Sequence, residues 1–579
     1  MNCNSLKWST GLLLILAACG PGGAGKESAP ATLEAWSVPP EVRLYRGAFS
    51  RQPDNRALNL EGLAGEVLSA QVAVRGSRDI ESLTGKFSDL AGPGGAVIPA
   101  AQAQVRFGGF VPVDETMTLT ADPLLEADSL KVAANLVQPV WLTLRLPSAA
   151  APGIYSGSFT VQAFPGGEAV FAVRAEVLPQ ILPEPADWTF HLNIWQDPTP
   201  VARAPKVRVW SEEHWRILER YAANFAAHGM KSIMTHITYD PWDGVRGYAT
   251  DTMVEWKYPG EYLAAGAGKF EWDFSVLDRY VEQMLKAGVR RSIDMYSLVM
   301  GPGGTLKADI HYLDTVTGGY RTAKMQVGDP LWRETWKAFL PALRQHLKEK
   351  GWFDMAVLGF DEKPEKVMRI IFGFIAAEAP DFKLASSGGF PGDEHKLADE
   401  IVIHIDEMLN PVRWASVEPL VKKYHADEKR HITFYTACMP HFPNTFIFSP
   451  LRESRLLAWL AWKYGFDGYI RWAVNLFPED PWNQPLFTWP SGDMFFVYPG
   501  PDGPLDSMRW EMLRQGIQDY EALRIAWERS EKAGRTDLLE KLRAAVEQAS
   551  VIDDCGWIPY IEESRAMVNA VLRELGPET

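Results

Sequence analysis

Cysteine is scarce in this chain: 579 residues contain four, at Cys3, Cys19, Cys438 and Cys555. That excludes a disulfide-built scaffold, and no Cys/His group has metal-ligand spacing, so neither a structural zinc site nor any cofactor motif is read. Positive charge is also short, with 58 Lys and Arg against 73 Asp and Glu and a net charge of −15. Nucleic-acid binding needs basic patches and is excluded as a partner class. No internal repeat occurs. The apolar run Gly11–Leu16 is too short to span a bilayer as a helix. What is abundant is aromatic: 22 Trp and 27 Phe, enough for large cores with a remainder available to stack on sugar rings.

The short apolar run has the layout of a signal peptide, with Lys7 before it and small residues after it. Leu16-Ala17-Ala18-Cys19 resembles a bacterial lipobox, in which the cysteine is lipidated after cleavage before it. Residues 1–18 are therefore expected to be removed. Cys19 is expected to carry the lipid, and residues 19–36, rich in Gly, Ala and Pro, to form a tether. The chain would then be anchored to the membrane of a bacterial cell envelope, at the periplasmic face or the cell surface. Cys438 and Cys555 could pair, although their spacing does not require it.

The length calls for several domains, and the pattern predicts a multidomain β plus α/β protein. Residues 37–180 read as a β-sandwich. Val140, Leu142, Leu144 and Leu146 alternate with Trp141, Thr143 and Arg145, as half-buried strands do. From residue 181 to 490 short apolar strands alternate with amphipathic helices. Eight strands are predicted, at 190–195, 232–237, 291–297, 355–361, 383–387, 401–406, 431–437 and 468–475, with helices between them. A central (β/α)8 TIM-like barrel fits best, with an open doubly wound sheet as the alternative. Residues 491–579 read as a β-strand followed by a helical cap.

One segment carries the chemistry. Gly359-Phe360-Asp361-Glu362-Lys363-Pro364 places two carboxylates after a buried strand and just before a proline suited to a helix start. Strand-to-helix turns form the catalytic face of such a barrel, and paired carboxylates there point to cleavage of a glycosidic bond. Neighbours on an extended chain point in opposite directions, so Asp361 and Glu362 should take different roles. Strands seven and eight end without a carboxylate; Asp406 and Glu407, at the end of strand six, stay candidates. A missing strand-seven nucleophile fits a substrate whose own 2-acetamido group attacks the anomeric carbon. Asp would then hold the amide N–H, and Glu would serve as acid and then base.

These residues carry a resemblance. The Asp361-Glu362 hexapeptide, the segment Asp467-Gly-Tyr-Ile-Arg-Trp472-Ala-Val-Asn475, Pro499-Gly500 and the run from Arg509 to Tyr520 resemble glycoside hydrolase family 123 over roughly residues 37–579. The resemblance implies a β-sandwich, a (β/α)8 barrel and a retaining, exo-acting β-N-acetylgalactosaminidase. It also implies that Asp361 stabilises an oxazolinium and that Glu362 is the acid/base. Glycan or glycolipid is the expected substrate.

Further pocket candidates come from strand ends: Asn193 and Trp195 from strand one, His236 and Tyr239 from strand two, and Tyr296 from strand three. Asp406, Tyr435, Trp472 and Asn475 come from strands six to eight. Any one aromatic could equally be core, His236 could be structural, and Arg471 could pair with a barrel carboxylate instead of touching sugar. A non-catalytic surface glycan-binding lipoprotein and a hydrolase for another hexosaminide or hexoside are the competing readings.

Overall fold

The computed structural model describes residues 31–47, 55–263, 266–388, 392–393, 395–427, 429–552, 558 and 560–577. The leader, Cys19 and most of the expected tether lie outside these residues, as does Cys555 and with it any pairing to Cys438. No helix among the described residues is long and apolar enough to cross a membrane.

Two antiparallel-rich sheets, of five and seven strands, form the N-terminal part between Leu33–Val38 and Gly167–Ile181. Their inward side chains make one core, in which Phe159, Phe171 and Val173 pack against Leu83 and Val140. The strand Gln138–Arg145 departs from the expected half-burial. Its inward residues are buried as predicted, but Trp141 is fully buried too, because Leu451, Met508 and Met512 cover the other face.

The central domain is a nearly closed barrel of eight parallel strands: His191–Ile194, Ser232–His236, Ser292–Tyr296, Ala356–Asp361, Lys383–Gly388, Glu400–His404, His431–Tyr435 and Gly468–Arg471. Their spatial order follows the chain, and strands one and two meet through a single bridge, Leu192 to Met230. Helix Glu212–Ala227 shows how local signals set the frame. Ser211 caps it by accepting from the His214 N–H, Gly229 takes a φ of +82° beyond its end, and Trp215, Leu218, Tyr221 and Phe225 are buried.

The β/α alternation has two departures. Between strands five and six the only helical turn among the described residues is the short His395–Leu397 segment. The connections after strands two and three instead build an extra four-stranded sheet from Glu255–Tyr258, Glu271–Asp273, Ile310–Asp314 and Tyr320–Ala323. Three helices follow the barrel, at Met508–Lys532, Thr536–Ala549 and Ile561–Leu575.

The first of these helices joins the two halves of the protein. Its polar residues Arg509, Glu511, Gln518, Asp519 and Glu521 are all buried. Gln518 accepts from the Val67 N–H and donates to the Val67 carbonyl at 2.9 and 2.8 Å, as a neighbouring strand would. Asp519 takes Arg455 and Arg565, and Arg565 also reaches Glu66 at 2.8 Å. Arg509 pairs with Asp122 of the sheet domain at 2.9 Å and donates to the carbonyls of Thr445, Gly492 and Phe495. Removing one partner of a buried ion pair leaves an uncompensated charge. Arg509→Met is therefore expected to lower unfolding stability by about 3–5 kcal/mol, read as a lower urea midpoint. An unchanged midpoint would remove the pair from the framework.

Candidate active site

Barrel strand four ends on Asp361, and the chain then turns sharply. Glu362 has φ +46°, a left-handed conformation that a non-glycine residue rarely adopts. The expected extended geometry is thus broken at this position, and instead of pointing apart, both carboxylates line one pocket. The turn is held by backbone bonds, the Glu362 N–H to the Ser387 carbonyl at 3.0 Å and the Gly303 N–H to the Glu362 carbonyl at 3.1 Å. Lys363 is buried and donates to the Met300 carbonyl at 3.0 Å and to that of Gly301. Pro364 sits one place before the helix Glu365–Glu378. Gly359 is required by its neighbour, since a Cβ there would meet the Tyr296 ring at 2.4 Å.

The pocket, a cavity of about 160 Å³, lies at the carboxyl ends of the strands, where barrel enzymes place their chemistry. Its aromatic wall is Trp195, Trp242, Tyr435, Trp472 and Trp489. The two strand-four carboxylates have unlike surroundings. Asp361 is half-buried, and both its oxygens are engaged, Oδ2 by Trp242 Nε1 at 3.1 Å and Oδ1 by Ser387 Oγ at 3.0 Å. Burial, reinforced by the neighbouring Glu362 charge, pushes its carboxyl up to about 6. Glu362 is exposed and accepts from the Tyr435 hydroxyl on Oε1 at 2.8 Å, while its Oε2 has no protein partner among the described residues. Burial and Glu362 push the Tyr435 phenol well up, so it stays a donor.

Five sequence candidates line the pocket: Asp361, Glu362, Trp195, Tyr435 and Trp472. The others sit elsewhere for identifiable reasons. Asn193 is buried in the barrel and donates to Asp294 Oδ2 at 2.7 Å, satisfying an interior carboxylate. Tyr296 is buried under the wall, packed on Trp195 and Trp242 with centroids 4.9 and 5.1 Å away. His236 lies edge-on behind Trp242, is fully buried, and is pushed down to about 4 by that burial, which fits the structural reading. Tyr239 leaves the barrel mouth to stack on His311 of the extra sheet. Strand six ends at His404, so Asp406 and Glu407 fall on the short helix Ile405–Leu409. There Asp406 faces His404 at 3.5 Å, and Glu407 pairs with Arg413 at 3.1 Å. Asn475 exchanges hydrogen bonds with the Asp197 backbone and ties down that loop.

Trp242, Ser387, Trp489 and Asp493 are pocket residues that strand-end reasoning missed. Trp242 carries Arg246 over its ring at 3.6 Å, and Arg246 in turn pairs with Asp197 at 3.3 Å. Asp493 comes from the loop after strand eight. It pairs with Arg471, the barrel-carboxylate partner left open in the sequence, and accepts from Trp472 Nε1 at 3.2 Å.

One group among the described residues has the proximity of metal ligands, His228, Asp506 and Glu511. Arg106 already holds both carboxylates, at 2.7 and 3.0 Å, and Arg514 pairs with Glu511 as well, so two cations balance them within the domain junction.

Comparison with known proteins agrees with this geometry. The family model described as "Glycoside hydrolase 123, catalytic domain" matches residues 195–526, and "Glycoside hydrolase 123 N-terminal domain" matches residues 44–163. A family 123 glycoside hydrolase from Clostridium perfringens, solved in a study of glycolipid glycan hydrolysis, superposes with a TM-score of 0.79 at 20% identity. The alignment covers 94% of this chain and 97% of that one. A family 39 glycoside hydrolase from Bacteroides cellulosilyticus aligns over 80% of this chain and 82% of its own at 12% identity. Its TM-score of 0.33 is too low to carry an argument. No curated protein matches the sequence.

Proposed function

Because the chain belongs to glycoside hydrolase family 123, we propose that it releases terminal β-linked N-acetylgalactosamine by a retaining, substrate-assisted route. The observation that carries this reading is the unlike setting of two adjacent carboxylates in one pocket. Glu362 is exposed with one oxygen unpartnered, as a group must be to meet the leaving oxygen and exchange a proton with water. Asp361 sits deeper, fixed by two donors, as a group must be to hold one part of the sugar in place.

In the first step the Glu362 carboxyl gives its proton to the glycosidic oxygen. The 2-acetamido carbonyl oxygen attacks C1 as the C1–O bond to the aglycone breaks. The resulting oxazolinium carries positive charge on its N–H, next to Asp361. In the second step the Glu362 carboxylate takes a proton from water, which attacks C1 and opens the ring with net retention. Burial and the Glu362 charge disfavour an anion at Asp361. A cation forming beside it offsets that cost, so the site favours the charged intermediate over the neutral ground state.

The two pocket carboxylates also disfavour the non-catalytic glycan-binding reading, which needs neither an exposed acid nor a half-buried partner beside it. The substrate is proposed to be a glycolipid glycan or another glycan. The enzyme is proposed to stand at the cell envelope on a lipid at Cys19, where such glycans are met. An aryl-glycoside panel tests the reading. Turnover of the 2-acetamido galactoside, with inhibition by the matching thiazoline, is expected. Hydrolysis confined to sugars without a 2-acetamido group would overturn it.

A further inference from the structure

The barrel is least closed between strands one and two, which meet through the single bridge Leu192 to Met230. At the mouth, the loops that follow these two strands are joined by charge instead. Asp197 follows strand one and Arg246 follows strand two; they lie 3.3 Å apart and both are fully buried. Asp197 is fixed in turn. Its Oδ1 accepts from the Thr199 N–H at 2.9 Å, and its own N–H donates to Asn475 Oδ1 at 2.9 Å. Arg246 also donates to the carbonyl of Trp472, just past strand eight, at 3.3 Å. One cation thus ties the ends of three strands together without lining the pocket itself.

Its guanidinium lies over the Trp242 ring, 3.6 Å from the centroid. Trp242 is buried, and its Nε1 donates to Asp361 Oδ2 at 3.1 Å. The order is therefore a buried anion, a cation, an indole and the working carboxylate. A cation over an indole face is held firmly where no water screens it. It also draws electron density from the ring, so the N–H becomes a stronger donor, as linked hydrogen bonds polarise one another. The other titratable groups beside Asp361 do not duplicate this support. Glu362 opposes the anion, and Tyr296 and Tyr435 are kept neutral by burial. Lys363 adds positive charge but directs its hydrogen bonds to the carbonyls of Met300 and Gly301.

Resting on the glycosidase reading above, we propose that Arg246 is a positioning residue for the reaction: through the Trp242 ring it aims and strengthens the indole N–H bond that holds Asp361 ready, as an anion, for the charged intermediate. A contact to developing charge works best when it is set before the charge forms. Arg246 does this from behind the wall, where it touches neither the sugar nor the reacting atoms.

The test is the pH profile of kcat on an aryl 2-acetamido galactoside for wild type, Arg246→Met and the double variant Arg246→Met/Asp197→Asn. The double variant strands no buried anion, so it decides should the single one not fold. In both, kcat should fall about 10-fold with KM little changed. The acid limb should move up by about 0.5–1 pH unit, because the anion has lost support. A scaffold role alone would raise KM, or lower kcat at every pH, and leave the limb in place, which overturns the proposal. A second arm needs no turnover. Asp361→Asn removes a poorly supported anion and should stabilise the fold at about pH 7.5. That gain, read from urea midpoints, should be larger in the double-variant background than in wild type, and equal gains also overturn the proposal. Inactivity of wild type on every 2-acetamido glycoside would instead defeat the glycosidase specificity, and the second arm would still decide on Arg246.

Discussion

Glu362→Gln is expected to lower kcat/KM on an aryl N-acetylgalactosaminide with a poor leaving group by about 10³-fold, within the usual range for loss of a general acid. The substitution keeps an oxygen for the Tyr435 hydroxyl at 2.8 Å, so the wall should stand. The loss should depend on the aglycone. A dinitrophenolate leaves without protonation, so kcat/KM for a dinitrophenyl glycoside should fall far less than for a methylumbelliferyl one. Equal losses on both substrates would mean that Glu362 is not the proton donor.

Asp361→Asn is expected to move two observables in opposite directions. The amide cannot balance a positive oxazolinium, so kcat should fall by about 10²–10³-fold, as when one electrostatic contact to a charged intermediate is removed. The fold, however, should gain. Burial and the Glu362 charge lift the Asp361 carboxyl from 3.8 to about 6. A carboxyl raised in the folded state binds its proton more tightly there than in the unfolded chain. Its contribution to stability is complete below about pH 4 and is lost as pH rises through about 6. At pH 7.5 the wild type carries a poorly solvated anion that the amide replaces with a neutral group. Unfolding stability of the variant should therefore exceed wild type by on the order of 1–3 kcal/mol at pH 7.5, and the gap should close toward pH 4. Urea midpoints at the two pH values check this; a gap that does not change with pH would remove Asp361 as its source. In wild type the same group predicts an acid limb of activity near pH 6, since the anion is the working form.

The barrel was legible because parallel strands buried on both faces read as compact apolar runs, and all eight lie where those runs lie. The catalytic pair was legible for the same reason, since it follows one of them. The extra sheet was not. Its strands are three to five residues long, too short for alternation to stand out; Glu255–Tyr258 alternates charged residues with the buried Trp256 and Tyr258 over only four positions. Trp242 and Asp493 were missed because neither ends a strand; Asp493 reaches the pocket only by folding back onto Arg471. Asn193 and Asn475 do sit at the predicted strand ends, but their amides are consumed by Asp294 and the Asp197 backbone. No sequence pattern marks a left-handed glutamate, so the turn that brings both carboxylates to one wall was visible only in the fold. The motif from Arg509 to Tyr520, read as a family signature, proves to be architectural, its charges spent on the sheet domain and the barrel frame.

That last feature bears on how the protein could be divided. Arg509 grips Asp122 in one domain and the Gly492 carbonyl in the other, one residue before Asp493. Arg106 and Glu66 of the sheet domain likewise answer charges at the helical end of the chain. A barrel cut free of its N-terminal partner would expose a row of cations and anions that are buried in the whole chain, next to the loop that shapes the pocket. The two domains thus share one buried polar seam. Insertions or fusions in this protein should be tolerated at the outer loops of either half but not at that seam.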